Sequence, residues 1–115
     1  MSKRDWKLYI DDILESIGFV EMYLEGMDLA DFGSDRKTID AVVRNFEIIG
    51  EASKYIPVEV KERHSQIDWP GIVGLRNRIA HEYFDVSPSI IWEIAKSELP
   101  ALKKQIKRVI AVTEE

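Results

Sequence analysis

Three features of the 115-residue chain predict an all-α fold. Apolar residues recur at steps of three and four along almost its whole length. Prolines and glycines interrupt that rhythm where helices should start or stop. No segment alternates apolar and polar residues as a half-buried strand would. The architecture expected is an antiparallel four-helix bundle with an extra short helix, forming one domain over residues 1–115.

The first helix is expected over roughly 3–25. Its stripe is Trp6, Ile10, Ile13, Ile17, Val20 and Leu24, and Gly26 is its stop. The following MDLADFGSD reads as a loop, with Ser34 or Asp35 capping the next helix. That helix runs over roughly 35–55 on Ile39, Val42, Val43, Phe46, Ile49, Ala52 and Ile56. Gly50 inside it suits close packing against another helix. Pro57 ends it and opens a short helix, PVEVKERH, from the first-turn position. A polar link, SQID, carries the chain to Trp69 and Pro70, with His64 expected in solvent. A helix from Pro70 to about Phe84 follows, then a turn with Ser87 as cap and Pro88 at the first helical position. The last helix is expected over roughly 88–112 with Ile90, Ile94, Leu102, Ile106 and Val109 or Ile110 inward, kinked or split at Pro100.

Composition narrows the function. The chain has no cysteine, which removes disulfides and thiolate metal sites and suits a reducing compartment. No apolar run reaches the roughly 20 residues a membrane span needs, and MSKRDWKLYIDD lacks the apolar region of a secretory signal. A soluble cytoplasmic protein is the expectation. The net charge of −5 excludes a broadly basic nucleic-acid binder, so any RNA contact must be local. Lys103, Lys104, Lys107 and Arg108 share one helical face, for which a plain solvated surface is the commoner reading. Three tryptophans and the long apolar stripes suggest surplus apolar surface that homodimerisation would bury.

The segment LRNRIAHEYF, residues 75–84, concentrates the chemistry. At about 100° per residue, Arg76, Ala80 and Tyr83 fall on one side of a helix. Asn77 and His81, four apart, are neighbours, and Arg78 can pair with Glu82. Arg76 and His81 stand about 140° apart, a gap that a long arginine could close in part and a second copy of the helix, brought in by a dimer, more easily. A histidine moves protons near neutral pH, and an arginine grips a phosphate and stabilises charge developing on it. That pair suits cleavage of RNA by its own 2′-hydroxyl, which needs no metal in principle. The plainer alternative is a surface arginine and histidine, an ordinary Arg78–Glu82 ion pair, and a partly buried Tyr83.

These residues resemble a known family. The spacing of Arg76, four residues, His81, one residue, Tyr83 is similar to that of HEPN domains, specifically the HepT-like toxins of prokaryotic toxin–antitoxin pairs. RNFEIIGEASKYIP, residues 44–57, resembles the second-helix signature of that branch, and IDWPGIVGLRNRIAHEYFDV resembles its motif helix. The resemblance implies a metal-independent endoribonuclease without a cofactor, whose site forms where two motif helices meet across a homodimer. It implies that His81 transfers protons, Arg76 holds the scissile phosphate and Asn77 supports both. Glu51 is a further candidate for the same cleft, although a buried glutamate bonded to an arginine would serve architecture equally well. The partner implied is an MntA-type nucleotidyltransferase antitoxin that transfers AMP onto Tyr83, adding bulk and negative charge beside Arg76 and His81.

Two other readings stay open from the residues. One is a noncatalytic HEPN module that binds nucleotide or scaffolds a nucleotidyltransferase complex, which the net acidity favours. The other is a helical dimer with no ligand, which leaves Asn77, His81 and Tyr83 gathered without purpose.

Overall fold

A computed structural model of the chain describes residues 5–82 and 88–114. The side chains of Arg76, Ala80, His81, Glu82, Thr113 and Glu114 lie outside that description. The described residues form helices joined by short turns, with no strand among them.

Helix α1, Trp6–Leu24, starts where the Asp5 carboxylate accepts the Lys7 N–H, satisfying a donor the first turn would leave bare. Its stripe sits where the sequence places it: Ile10, Ile13, Ile17, Val20 and Leu24 are buried, and Trp6 packs against them from the edge. Gly26 then turns the chain at φ +79°, a left-handed conformation that suits a residue without Cβ. The expected loop holds a helix instead. In α2, Leu29–Gly33, Asp28 and Asp31 each accept the other's backbone N–H in a reciprocal cap. Phe32, wholly buried, stacks at a tilt on Trp92, 5.4 Å between ring centroids, which anchors so short a helix.

Asp35 caps α3, Arg36–Lys54, accepting from the Thr38 N–H and the Thr38 hydroxyl. Those two hydrogen bonds hold its carboxyl below the ordinary range. Every apolar residue assigned to this helix and its end, Ile39 through Ile56, is buried. So is Gly50. Among the described residues, α1 and α3 make the most extensive helix contact, and α3 also packs on α5, α6 and α7.

Pro57 stands one residue before α4, Val58–Arg63, as its cap rather than in its first turn. Its carbonyl accepts the Val60 and Lys61 N–H groups. His64 is buried, contrary to its expected place in solvent. The supposed link is a run of tight turns, with the Ile67 N–H bonded to the His64 carbonyl and the Trp69 N–H to that of Ile67. The buried Trp69 indole N–H also donates to the His64 carbonyl at 3.1 Å, which draws this corner under α4.

The final helix departs from expectation in phase. It comprises α7, Pro88–Glu93, a π-helical segment, Ile94–Glu98, and α8, Leu99–Glu114. Pro88 is the first helical residue, as predicted, while its expected cap Ser87 lies outside the described residues. Pro100 has no N–H, and its ring would crowd the carbonyl four residues back. The wider turn before it, closed by the Leu99 N–H on the Ile94 carbonyl, relieves that conflict. Ile91, Ile94, Ala95, Leu99, Leu102, Ile106 and Val109 face the core, whereas Ile90, expected inward, is 44% exposed.

Candidate functional site

The motif helix starts earlier than Pro70 and is interrupted once. Asp68 accepts the Gly71 N–H and caps α5, Trp69–Val73. A Cβ at Gly71 would run into that carboxylate, so the cap needs glycine there. Gly74 relaxes the winding, at ψ −7°, before α6, Leu75–Glu82, resumes it. The Gly74 and Arg78 N–H groups still bond four residues back, to Pro70 and Gly74, so the two pieces follow one path. Leu75 and Ile79 are buried and seat α6, which packs on α3.

Arg76, Asn77 and His81 therefore share one helix fixed to the core by Leu75 and Ile79. Asn77 is exposed on it. The side chains of Arg76 and His81 lie outside the described residues, as does Tyr83 altogether. Arg78 reaches across to the π segment, where it donates to the Glu98 carboxylate at 3.1 Å. The Glu82 side chain, its expected partner, lies outside the described residues. Beside the Arg78–Glu98 bridge is a hollow of about 220 Å³, walled by Ile72, Leu75, Ile94 and Leu99.

Glu51 stands on α3, exposed rather than buried. Among the described residues it pairs with the Lys54 ammonium at 3.3 Å and accepts from the Tyr55 hydroxyl at 3.5 Å. It lines a groove between α1 and α3 that the sequence did not disclose. The groove also holds Arg44, Glu47 and the stacked rings of Tyr9 and Tyr55. Those tyrosines are 46 positions apart, and only the pairing of α1 with α3 brings them together. Of the basic face on α8, Lys103 is tied to Glu21 of α1 at 2.8 Å, so part of it serves helix packing. Among the described residues, no three His, Cys, Asp or Glu side chains cluster as metal ligands would. No described helix is long and apolar enough to cross a membrane.

With a capped, core-anchored helix bearing the Arg-Asn-His set in view, comparison with known proteins becomes decisive. The family model described as "Ribonuclease HepT-like" matches residues 13–109. The chain belongs to this family. The match spans every helix that builds or supports the motif, from within α1 to within α8. Relatives extend the likeness to nearly full length. A protein of Caldanaerobacter subterraneus, provisionally named an RNase, is 41% identical over 102 residues, covering 89% of this chain and 91% of its own. One from Methanocaldococcus jannaschii, named in the same way, is 39% identical over 109 residues, covering 95% of this chain and all of its own. A third, from Thermococcus cleftensis, is assigned as ribonuclease HepT. It is 38% identical over 107 residues, covering 93% of this chain and 97% of its own. No solved structure matches the chain significantly.

Proposed function

We propose that this chain is a metal-independent endoribonuclease, the toxin of a prokaryotic toxin–antitoxin pair. The observation that carries the reading is the family match over residues 13–109, which includes Arg76, Asn77 and His81 on one core-anchored helix. The chemistry follows from what RNA already contains. Its 2′-hydroxyl is the nucleophile, attacking the adjacent phosphorus while the 5′-oxygen of the next nucleotide leaves. His81 moves the proton between these oxygens, Arg76 binds the phosphate whose charge rises in the transition state, and Asn77 orients the histidine. The products are a 2′,3′-cyclic phosphate and a 5′-hydroxyl.

The working site is composite, as the likeness to HepT-like toxins implies, with two motif helices facing each other across a homodimer; a second helix closes the roughly 140° between Arg76 and His81 more readily than a long arginine reaching round one helix. Glu51 of α3 supports that site. Control comes from an MntA-type nucleotidyltransferase antitoxin that adenylylates Tyr83, blocking the phosphate site by charge and occupancy. Mass spectra of Tyr83 peptides, taken after incubation with the partner and ATP, should gain one AMP; a bare tyrosine under conditions where the partner is active sinks that step.

The test of the catalytic reading is RNA cleavage by the purified protein in chelator, beside His81→Ala prepared identically. The expected result is cleavage with cyclic 3′ ends by the wild type and loss of at least about 100-fold in the variant. Equal cleavage by both would place the activity elsewhere. The net charge of −5 favours one competing reading, a noncatalytic module that scaffolds a nucleotidyltransferase. Such a module would keep its cellular effect in His81→Ala.

A further inference from the structure

The signature segment RNFEIIGEASKYIP contains more than the core requires. Phe46, Ile49, Ala52 and Ile56 are buried, which accounts for its apolar half. Its polar members Arg44, Glu47, Glu51 and Tyr55 step by three or four along one side of α3 and its end. They line the groove that α1 closes with Tyr9 and the carboxylate-bearing Asp12. The Tyr9 and Tyr55 rings stack 4.9 Å apart at 20° between planes. Tyr55 is nevertheless 54% exposed. A tyrosine held against a second ring is a fixed aromatic platform with little conformational freedom left to lose on binding.

We infer that this groove is a subsite for one nucleobase of single-stranded RNA, stacked beside Tyr55, with amino-bearing bases favoured over uracil. The inference rests on the ribonuclease reading and deepens it. Every base has a π face, so an aromatic platform gives affinity without sequence information. The carboxylates of Glu47 and Glu51 on the same rim add the information. They accept hydrogen bonds, which the exocyclic amines of adenine, cytosine and guanine donate and uracil lacks. Their present partners, Arg44 at 3.4 Å and Lys54 at 3.3 Å, form short-range surface pairs that exchange readily with a ligand. Arg44 and Lys54 can then meet the flanking phosphates. The groove, about 250 Å³, falls below the roughly 300–1,000 Å³ of drug-sized pockets and suits a single ring system. A stacking subsite also answers the charge problem: a chain of net −5 cannot hold RNA by long-range attraction.

Binding of fluorescent 2′-O-methyl nonamers tests this, because they lack the free 2′-hydroxyl and stay intact on the active protein. The wild type should bind the adenosine nonamer about fivefold more tightly than the uridine one. Tyr55→Ala should weaken adenosine binding about tenfold, while Tyr55→Phe, which keeps the ring, stays within about twofold. Glu47→Ala should narrow the adenosine-over-uridine preference. Unchanged affinity in Tyr55→Ala, or no base preference in the wild type, overturns the inference. So does a Tyr55→Ala variant that loses self-association by sedimentation along with RNA binding, because the groove would then be a contact between copies. Cleavage of natural RNA by the wild type, measured in parallel, separates the two readings. If cleavage is present while Tyr55→Ala binds normally, only the subsite falls. If cleavage and binding are both absent from the wild type, the ribonuclease reading falls and takes the subsite with it.

Discussion

Single residues carry most of the local decisions in this fold. Gly26 turns the chain at φ +79°, so Gly26→Ala should cost about 1–2 kcal/mol in urea unfolding, with an unchanged denaturant slope. Phe32 is wholly buried against Trp92, and Phe32→Ala should cost about 3–5 kcal/mol by the same measurement. Asp35 predicts a pH signature. The Thr38 hydroxyl and backbone N–H bond to its carboxylate and hold its pKa below the ordinary 3.8. A depressed folded pKa stabilises above the unfolded value, and the contribution is lost as pH falls through the folded one. The melting temperature of Asp35→Ala should therefore lie below wild type at pH 7, with the gap closing below pH 3.8. A gap that stays constant into that range would mean that charge has no part in this cap. The sequence narrowed this cap to Ser34 or Asp35 from their place before an apolar stripe, and the structure selects Asp35. His64 was misread for an equally physical reason. A polar neighbourhood in sequence says nothing about Trp69, whose indole bonds to the His64 carbonyl and pulls the corner inward.

At the scale of elements, the long helices were legible because their stripes are long enough to average out error. The apolar residues their spacing selects are buried in α1 and α3, all but Trp6 at the edge, while the buried Ser16, Asn45 and Ser53 carried no such signal. Short elements were not. Helix α2 is five residues built on a reciprocal aspartate cap, with glycine as its last residue, and its reason to exist is Phe32 packing on an element 60 positions away. The π segment was visible only as a conflict at Pro100. Ile91 is buried and Ile90 exposed, one residue from the expected phase, because the inward stripe runs through Ile91, Ala95, Leu99 and Leu102 rather than from Ile90. The motif helix depends on a cap of its own. Asp68→Ala removes the acceptor for the Gly71 N–H and should cost about 1 kcal/mol. Gly71→Ala should displace the same carboxylate but cost less, because alanine's better helix propensity offsets part of the lost cap. Both variants should lose stability, and by loosening the start of the motif helix they should lower RNA cleavage as well. Full activity in either would separate the cap from the site.

For the whole molecule, the family and the helix that carries Arg76, Asn77 and His81 were readable from the residues, because the Arg-Asn-His spacing and the α3 signature are local patterns. The Tyr9–Tyr55 stack and the Arg78–Glu98 bridge were not, because each joins separate elements and exists only once the helices pack. Several large apolar side chains remain open to solvent, among them Leu8, Met22, Val58 and Val112. The central claim is that Arg76 and His81 from two chains complete one ribonuclease site, and mixing inactive variants tests it most directly. Arg76→Ala and His81→Ala would be unfolded together, refolded and assayed on RNA in chelator beside each variant alone. A two-fold composite site leaves one intact centre in every mixed dimer, so the mixture should recover about a quarter of wild-type activity while each variant alone stays inactive. A mixture as dead as its components, with mixed dimers demonstrated, would contradict the shared site; full activity in either variant alone would contradict the assignment of its residue.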